Sequence, residues 1–222
     1  VISYKFSHMA MDGNRDGTNE VSPEEIVTTT PNRFFGQTGQ PSTLRIVPTE
    51  MTMDMHMFGA MYTPTDWLSV MAMGMYTSKS MDHVTFAGGS GTTRRGEFTT
   101  KAEGFRDTKL SGVAQVYEDG RHSVKLNFGV SLPTGSIEER DTILTPTGAT
   151  PNVRLPYAMQ LGSGTYDLLP GITYTGGIDD FGWGAQYGAT LRLDENSEDY
   201  ALGDVHRITA WGSYRFADWV SG

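Results

Sequence analysis

The 222-residue chain has no cysteine, so neither a disulfide framework nor a thiolate metal site is available to it. It has no apolar run near the roughly 18 unbroken residues that a membrane helix needs, and its mean hydropathy is -0.36. Basic residues are in deficit: Lys and Arg number 17 against 26 Asp and Glu, a formal net charge of -9. That balance lacks the clustered cations that grip a phosphate backbone, which argues against nucleic acid as a partner. Val1 is followed by neither the basic nor the apolar region of a secretion signal, so a processed or trimmed N-terminus is expected. Helix signals are scarce too. Ser22-Pro23-Glu24-Glu25 is the one helix start, with Ser22 as its cap.

What the chain does have is alternation. Eight runs near 1–11, 51–62, 67–78, 101–117, 122–132, 165–175, 181–193 and 206–216 change polarity at every residue, the period of a strand with two unlike faces. About 9–11 residues is what a tilted strand needs to cross a bilayer. Short turns, at Thr63-Pro64-Thr65-Asp66, Asp119-Gly120-Arg121 and Gly176-Gly177-Ile178-Asp179, alternate with long polar links near 12–50, 79–100, 133–164 and 194–205. Outer-membrane barrels alternate in this way because periplasmic turns are short and extracellular loops long. The expected fold is therefore all-β: an antiparallel up-and-down transmembrane barrel, one domain over 1–222, with eight strands visible.

The faces support this. Val124, Leu126, Phe128, Val130 and Leu132 alternate with Ser123, Lys125, Asn127, Gly129 and Ser131, and Phe181, Trp183 and Tyr187 share a face of their run. A four-residue turn at 63–66 would set Tyr62 opposite Trp67 and His56 opposite Met73. One face would then hold Asp54, His56, Phe58, Met71, Met73 and Met75, and the other Met51, Met53, Met55, Met57 and Met61 toward lipid. A three-residue loop at 119–121 likewise pairs Val116 with Val124 and Leu110 with Val130. At the C-terminus, Asp218-Trp219-Val220-Ser221 repeats the pattern of Asp66-Trp67-Leu68-Ser69. Trp219 is thus expected to open a ninth strand, in a chain truncated at its C-terminus.

The polar face is expected to line a lumen, with Lys5, Lys101, Lys109, Lys125, Arg192, Arg207 and Arg215 against Asp54, Glu103, Asp107 and Asp167. The wall is mildly basic although the chain is acidic, the acid being displaced into links such as 12–25, 138–141 and 194–199. Such a lumen can pair internally as a plug or line a water-filled path with some anion preference. Thioether sulfur and imidazole suit copper, so His56, Met71, Met73, Met75, Met9 and Met11 form a candidate copper set. The competing role for methionine is a flexible apolar filler. Asp12, Asn14, Asp16 and Glu20 fit part of an EF-hand calcium loop, but Pro23 stands where its last carboxylate belongs. No cofactor is required. Hydrolytic chemistry has no support, because His83, His122 and His206 neighbour no serine that spacing singles out. The chain is therefore not expected to be an enzyme. Gly88-Gly89-Ser90-Gly91 lacks the lysine and the helix of a phosphate loop.

Ser123 to Leu132 followed by Pro133-Thr134-Gly135, then Gly162-Ser163-Gly164-Thr165-Tyr166-Asp167, resembles outer-membrane transporters of the phenol meta-degradation pathway type. The Met51–Met61 segment is similar to a Met-rich subgroup of them. The resemblance spans about residues 50–216 and implies a bacterial outer-membrane barrel of about twelve strands, with no catalytic residues. The partners expected are outer-membrane lipid and lipopolysaccharide, a small-molecule solute, and a protein partner or further copies of the chain. A copper-handling barrel and a non-conducting scaffold are the alternatives to a solute channel.

Overall fold

The computed structural model describes residues 1–217 and the backbone of 220–221. The chain is all-β, 61% strand with one helix, and is built on a large antiparallel sheet of ten strands. These are β1 (Ile2–Asp12), β2 (Ile46–Thr65), β3 (Leu68–Phe86), β4 (Arg94–Phe105), β5 (Thr108–Glu118), β6 (His122–Leu132), β7 (Asp167–Leu168), β8 (Gly171–Ile178), β9 (Phe181–Arg192) and β10 (Val205–Ala217). β4 and β5 lie end to end along one edge of β3. β7 and β8 likewise share the groove between β6 and β9. The ten segments thus make eight consecutive lanes, each paired with the next in sequence, as the eight alternating runs require. Among the described residues β1 has a neighbour on one edge only, while β10 is joined on its second edge by Val220–Ser221. Trp219, the expected start of a ninth strand, lies outside the described residues.

Three register details decide where side chains point. The first hairpin turns at Asp66-Trp67, with Thr65 opposite Leu68 and an irregularity back to Tyr62 opposite Val70. His56 therefore faces Tyr76 and not Met73, a shift of three residues. Because the side-chain period is two, an odd shift exchanges the faces of β2 relative to β3. At Arg106-Asp107 the ladder slips by one: Tyr76 pairs with Phe105, but Met73 pairs with Lys109. That bulge reverses the alternation between β4 and β5. At the second hairpin Leu110 does face Val130, but a bulge at Val116 leaves Tyr117 opposite Val124. The third hairpin turns at Asp179-Asp180, with Ile178 opposite Phe181, so Gly176 and Gly177 belong to β8.

The two faces differ sharply. The inner face is defined by the long 133–166 segment, which folds onto it: Leu155, Met159 and Leu161 pack on Met51, Met81 and Ala102. The outer face carries a belt of exposed aromatic and branched residues, among them Tyr4, Phe58, Val70, Leu126, Phe128, Ile172, Tyr187, Ile208 and Phe216. Above Tyr76 and Phe105 the same face turns polar, with Ser78 beside Glu103, Ser80 beside Lys101 and Asp82 beside Thr99. At the top of that face sits the helix α1 (Pro23–Thr29), where Ser22 accepts from the Glu25 amide at 3.2 Å. Val27 there packs on Val47, Val84 and Phe86, and Glu24 pairs with Arg94 at 2.8 Å.

Gly88-Gly89-Ser90-Gly91 has a structural duty. Arg45, only 3% exposed, donates to the carbonyls of Ala87, Gly88, Ser90 and Gly91 at 2.8–3.2 Å. The loop turns its oxygens inward around a cation, the opposite polarity to a phosphate cradle.

Candidate functional site

The inner face divides into a methionine wall on β1–β3 and a polar, basic surface on β5–β10. In the wall, cross-strand rows run Met11–Met51–Met81, Met9–Met53–Lys79, Ser7–Met55–Thr77 and Lys5–Met57–Met75. Below them Gly59 faces Met73, and Met61 faces Met71. Alternation puts all eleven of these methionines on one face. The twelfth methionine of the chain, Met159, comes down from the long segment onto Met51 and Met81, with Met53 packed against the same cluster.

This corrects the expected faces in both directions. Met51, Met53, Met55, Met57 and Met61 are not turned to the outer belt, because the turn shift places them beside Met71, Met73 and Met75. His56 and Asp54 leave the inner face for the same reason. On the outer side the His56 Nδ1 lies 2.8 Å from the Tyr4 hydroxyl, and Asp54 lies 2.6 Å from the His8 Nδ1. Lys101 and Glu103 also move to the outer face, reversed by the bulge at Arg106-Asp107. The five methionines Met9, Met11, Met71, Met73 and Met75 share one face without His56.

The polar half is centred on a cavity of about 240 Å³, lined by Arg106, Asp107, Lys109, Ser131, Asp167, Arg192 and Arg207 with Met73 and Met75 at its side. Its row is fixed by pairing: Met73 faces Lys109, which faces Ser131, then Asp167, then Arg192. The carboxylates are already engaged. Asp167, 2% exposed, pairs with Arg192 and accepts from the Thr165 hydroxyl at 2.7 Å. Asp107 accepts from the amides of Gly135 (3.0 Å) and Ser163 (2.8 Å) and from the Ser163 hydroxyl. No ion pair reaches Lys5, Lys109, Lys125, Arg207 or Arg215 among the described residues. By alternation all five stand on the inner face.

The segment over the inner face is latched at several levels. Thr85 donates to the Leu144 carbonyl at 2.7 Å, and Arg106 donates to that of Leu161 at 3.2 Å. Lys79, 4% exposed and above the outer belt, donates to the carbonyls of Ala158 (2.9 Å) and Gln160 (2.7 Å). Burial, with Arg106 nearby, pushes the Lys79 ammonium down to about 8. On the same face, two residues above Met81, His83 stacks on Phe98 with ring centroids 4.7 Å apart. Burial lowers its imidazole below the usual range, and its Nδ1 has no hydrogen-bond partner among the described residues. Neither Lys79, Arg45 nor His83 was expected at a site. Lys79 and His83 stand in the polar stretch from Thr77 to His83, where nothing in the sequence separates a buried cation from an exposed one.

The EF-hand-like segment takes another shape. Asn14–Asp16 and Asn19–Val21 form a small hairpin, in which Arg15 pairs with Glu20 at 3.5 Å. The Asn14 amide is spent on the Pro48 carbonyl at 2.7 Å. A hairpin spreads Asp12, Asn14, Asp16 and Glu20 along two extended strands, where an EF-hand would curl them around one point. Among the described residues no three His, Cys, Asp or Glu groups gather as a metal site.

No protein-family model matches the chain, and no curated protein matches it.

Proposed function

We propose that this sheet is part of the wall of a bacterial outer-membrane β-barrel that lets small anionic or aromatic solutes pass along its inner face. The observation that carries this is the split between faces. The outer belt exposes aromatic and branched side chains at the height a tilted strand needs to cross hydrocarbon. The inner face carries five cations without carboxylate partners. Lys5, Lys109, Lys125, Arg207 and Arg215 would hold a positive potential along the path, while Asp167 is neutralised by Arg192 and the Asp107 carboxylate is held by the Gly135 and Ser163 amides. The short-motif resemblance to outer-membrane transporters supports the same reading.

A bilayer does not tolerate unpaired strand edges. The proposal therefore requires the open edges of β1 and β10 to be paired in the assembled protein, by further strands or by another copy. The pairing of Val220–Ser221 with Arg215 and Ala217 starts such an addition on β10. The test is single-channel recording of the refolded protein in planar bilayers under a salt gradient. Steady conductance with anion preference is expected, reduced or inverted by Lys125→Glu or Arg207→Glu. Silence under all conditions, or a selectivity that ignores both charge reversals, would refute it.

A further inference from the structure

The methionines are distributed in a way that hydrophobicity does not explain. The outer belt contains no methionine; its apolar side chains are Phe, Tyr, Trp, Leu, Ile, Val and Ala, with His8, Asp54 and His56 among them. Branched and aromatic residues are the ordinary choice for an apolar position on a strand. Apart from Ile46 at its upper end, the inner face of β1–β3 carries no Leu, Ile, Val, Phe, Tyr or Trp and takes methionine at eleven positions. What distinguishes methionine from leucine or valine is its thioether, a soft, uncharged donor on a flexible stem. Soft sulfur donors select monovalent d¹⁰ ions over the harder divalent ones.

Geometry gathers three of these donors with a fourth, Met159. Met51 and Met81 are directly opposed across β2 and β3, a pairing that sets Cβ atoms about 4.5–5.5 Å apart. Met159, from the 133–166 segment, joins them in one buried cluster with Ala102, Leu155 and Leu161, and Met53 packs against the group. Met51, Met81 and Met159 are 9%, 8% and 0% exposed, so water competes poorly for an ion held there. Met11, opposite Met51, is 43% exposed and stands at the group's open side. The unpartnered Nδ1 of His83, itself 8% exposed, is an independent sign of unused donor capacity on this face.

We infer that the Met51, Met53, Met81 and Met159 cluster binds a soft monovalent cation, Cu(I) or Ag(I). The more exposed methionines of the wall supply single thioethers along the approach. The site does not depend on whether the barrel conducts.

The test uses the refolded full chain in detergent, titrated with Ag(I) alone and, anaerobically, with Cu(I) against a chromophoric chelator. A variant with Met51, Met53, Met81 and Met159 all changed to Leu conserves core volume and removes only sulfur. Its affinity for either ion is expected to fall tenfold or more, while its strand content stays unchanged. Should that variant not fold, Met159→Leu alone is expected to lower affinity several-fold, since it changes one residue and conserves its volume. X-ray absorption of the Cu(I)-loaded native chain is expected to show a sulfur-dominated coordination shell. Native affinity in the leucine variant, or a shell of nitrogen and oxygen only, would overturn the inference.

Discussion

Replacing Lys79 with methionine would remove an ammonium that lies under the 133–166 segment and is only 4% exposed. Two effects oppose one another. Burial moves the group from an ordinary 10.5 to about 8, which at roughly 1.4 kcal/mol per unit means that holding it charged costs about 3 kcal/mol. Against this, the Nζ satisfies the carbonyls of Ala158 and Gln160; leaving the buried Gln160 acceptor without a donor would cost about 1–3 kcal/mol, and the part-buried Ala158 acceptor less. At pH 7 the two nearly cancel, and Lys79→Met should be close to neutral or mildly destabilising. The pH dependence is more telling. The folded value lies below the unfolded one, so the unfolded chain binds the extra proton between about 8 and 10.5, and native stability rises with pH across that window. Above it the neutral amine still donates to both carbonyls at no charging cost. Guanidinium unfolding of native and variant chains in lipid vesicles, followed by tryptophan fluorescence, should therefore show a stability difference that widens by about 3 kcal/mol from pH 7 to 10.5. A difference that stays flat over this range would mean that Lys79 is not buried beneath the segment, and the latch would be refuted.

Two further outcomes follow from the register and the buried pair. In reconstituted protein, Met57→Cys should react with a water-soluble maleimide while His56→Cys stays protected by lipid; the reverse pattern would restore the four-residue turn. Asp167→Asn would strand Arg192 beside a neutral amide in a nearly closed setting, and should cost about 3–5 kcal/mol in chemical unfolding. A loss under 1 kcal/mol would show that the pair is open to water.

The lanes of the sheet were legible because alternation is a local property. Val124 to Leu132 announces its two faces without any knowledge of what it pairs with, and so does Phe181 to Leu191. Ser22-Pro23-Glu24-Glu25 was equally readable, since a cap is satisfied within its own turn. What escaped were single-residue events between lanes. The turn at Asp66-Trp67 differs from one at 63–66 by an odd number of residues, and this alone moved His56 and five methionines across the sheet. The extra residue at Arg106-Asp107 did the same to Lys101 and Glu103. Neither leaves a trace in composition, because Thr63-Pro64-Thr65-Asp66 is turn-like on any count, and Arg-Asp is unremarkable in a strand. The role of Met159 was hidden for another reason. A residue 78 positions from Met81 meets it only through the tertiary course of a long loop.

The lanes also differ in height. β3 continues for thirteen residues past Met73, from 73 to 86, whereas β9 ends at Arg192 in the same cross-strand row. Counted from the short turns that precede them, β3 runs 19 residues and β9 12; at about 3.3 Å per residue the excess is on the order of 23 Å of strand. That side of the sheet stands above the rest as a one-sided wall. A peptide tag inserted at the 87–93 hairpin tip is expected to be reached by an antibody more readily than one inserted at 193–204.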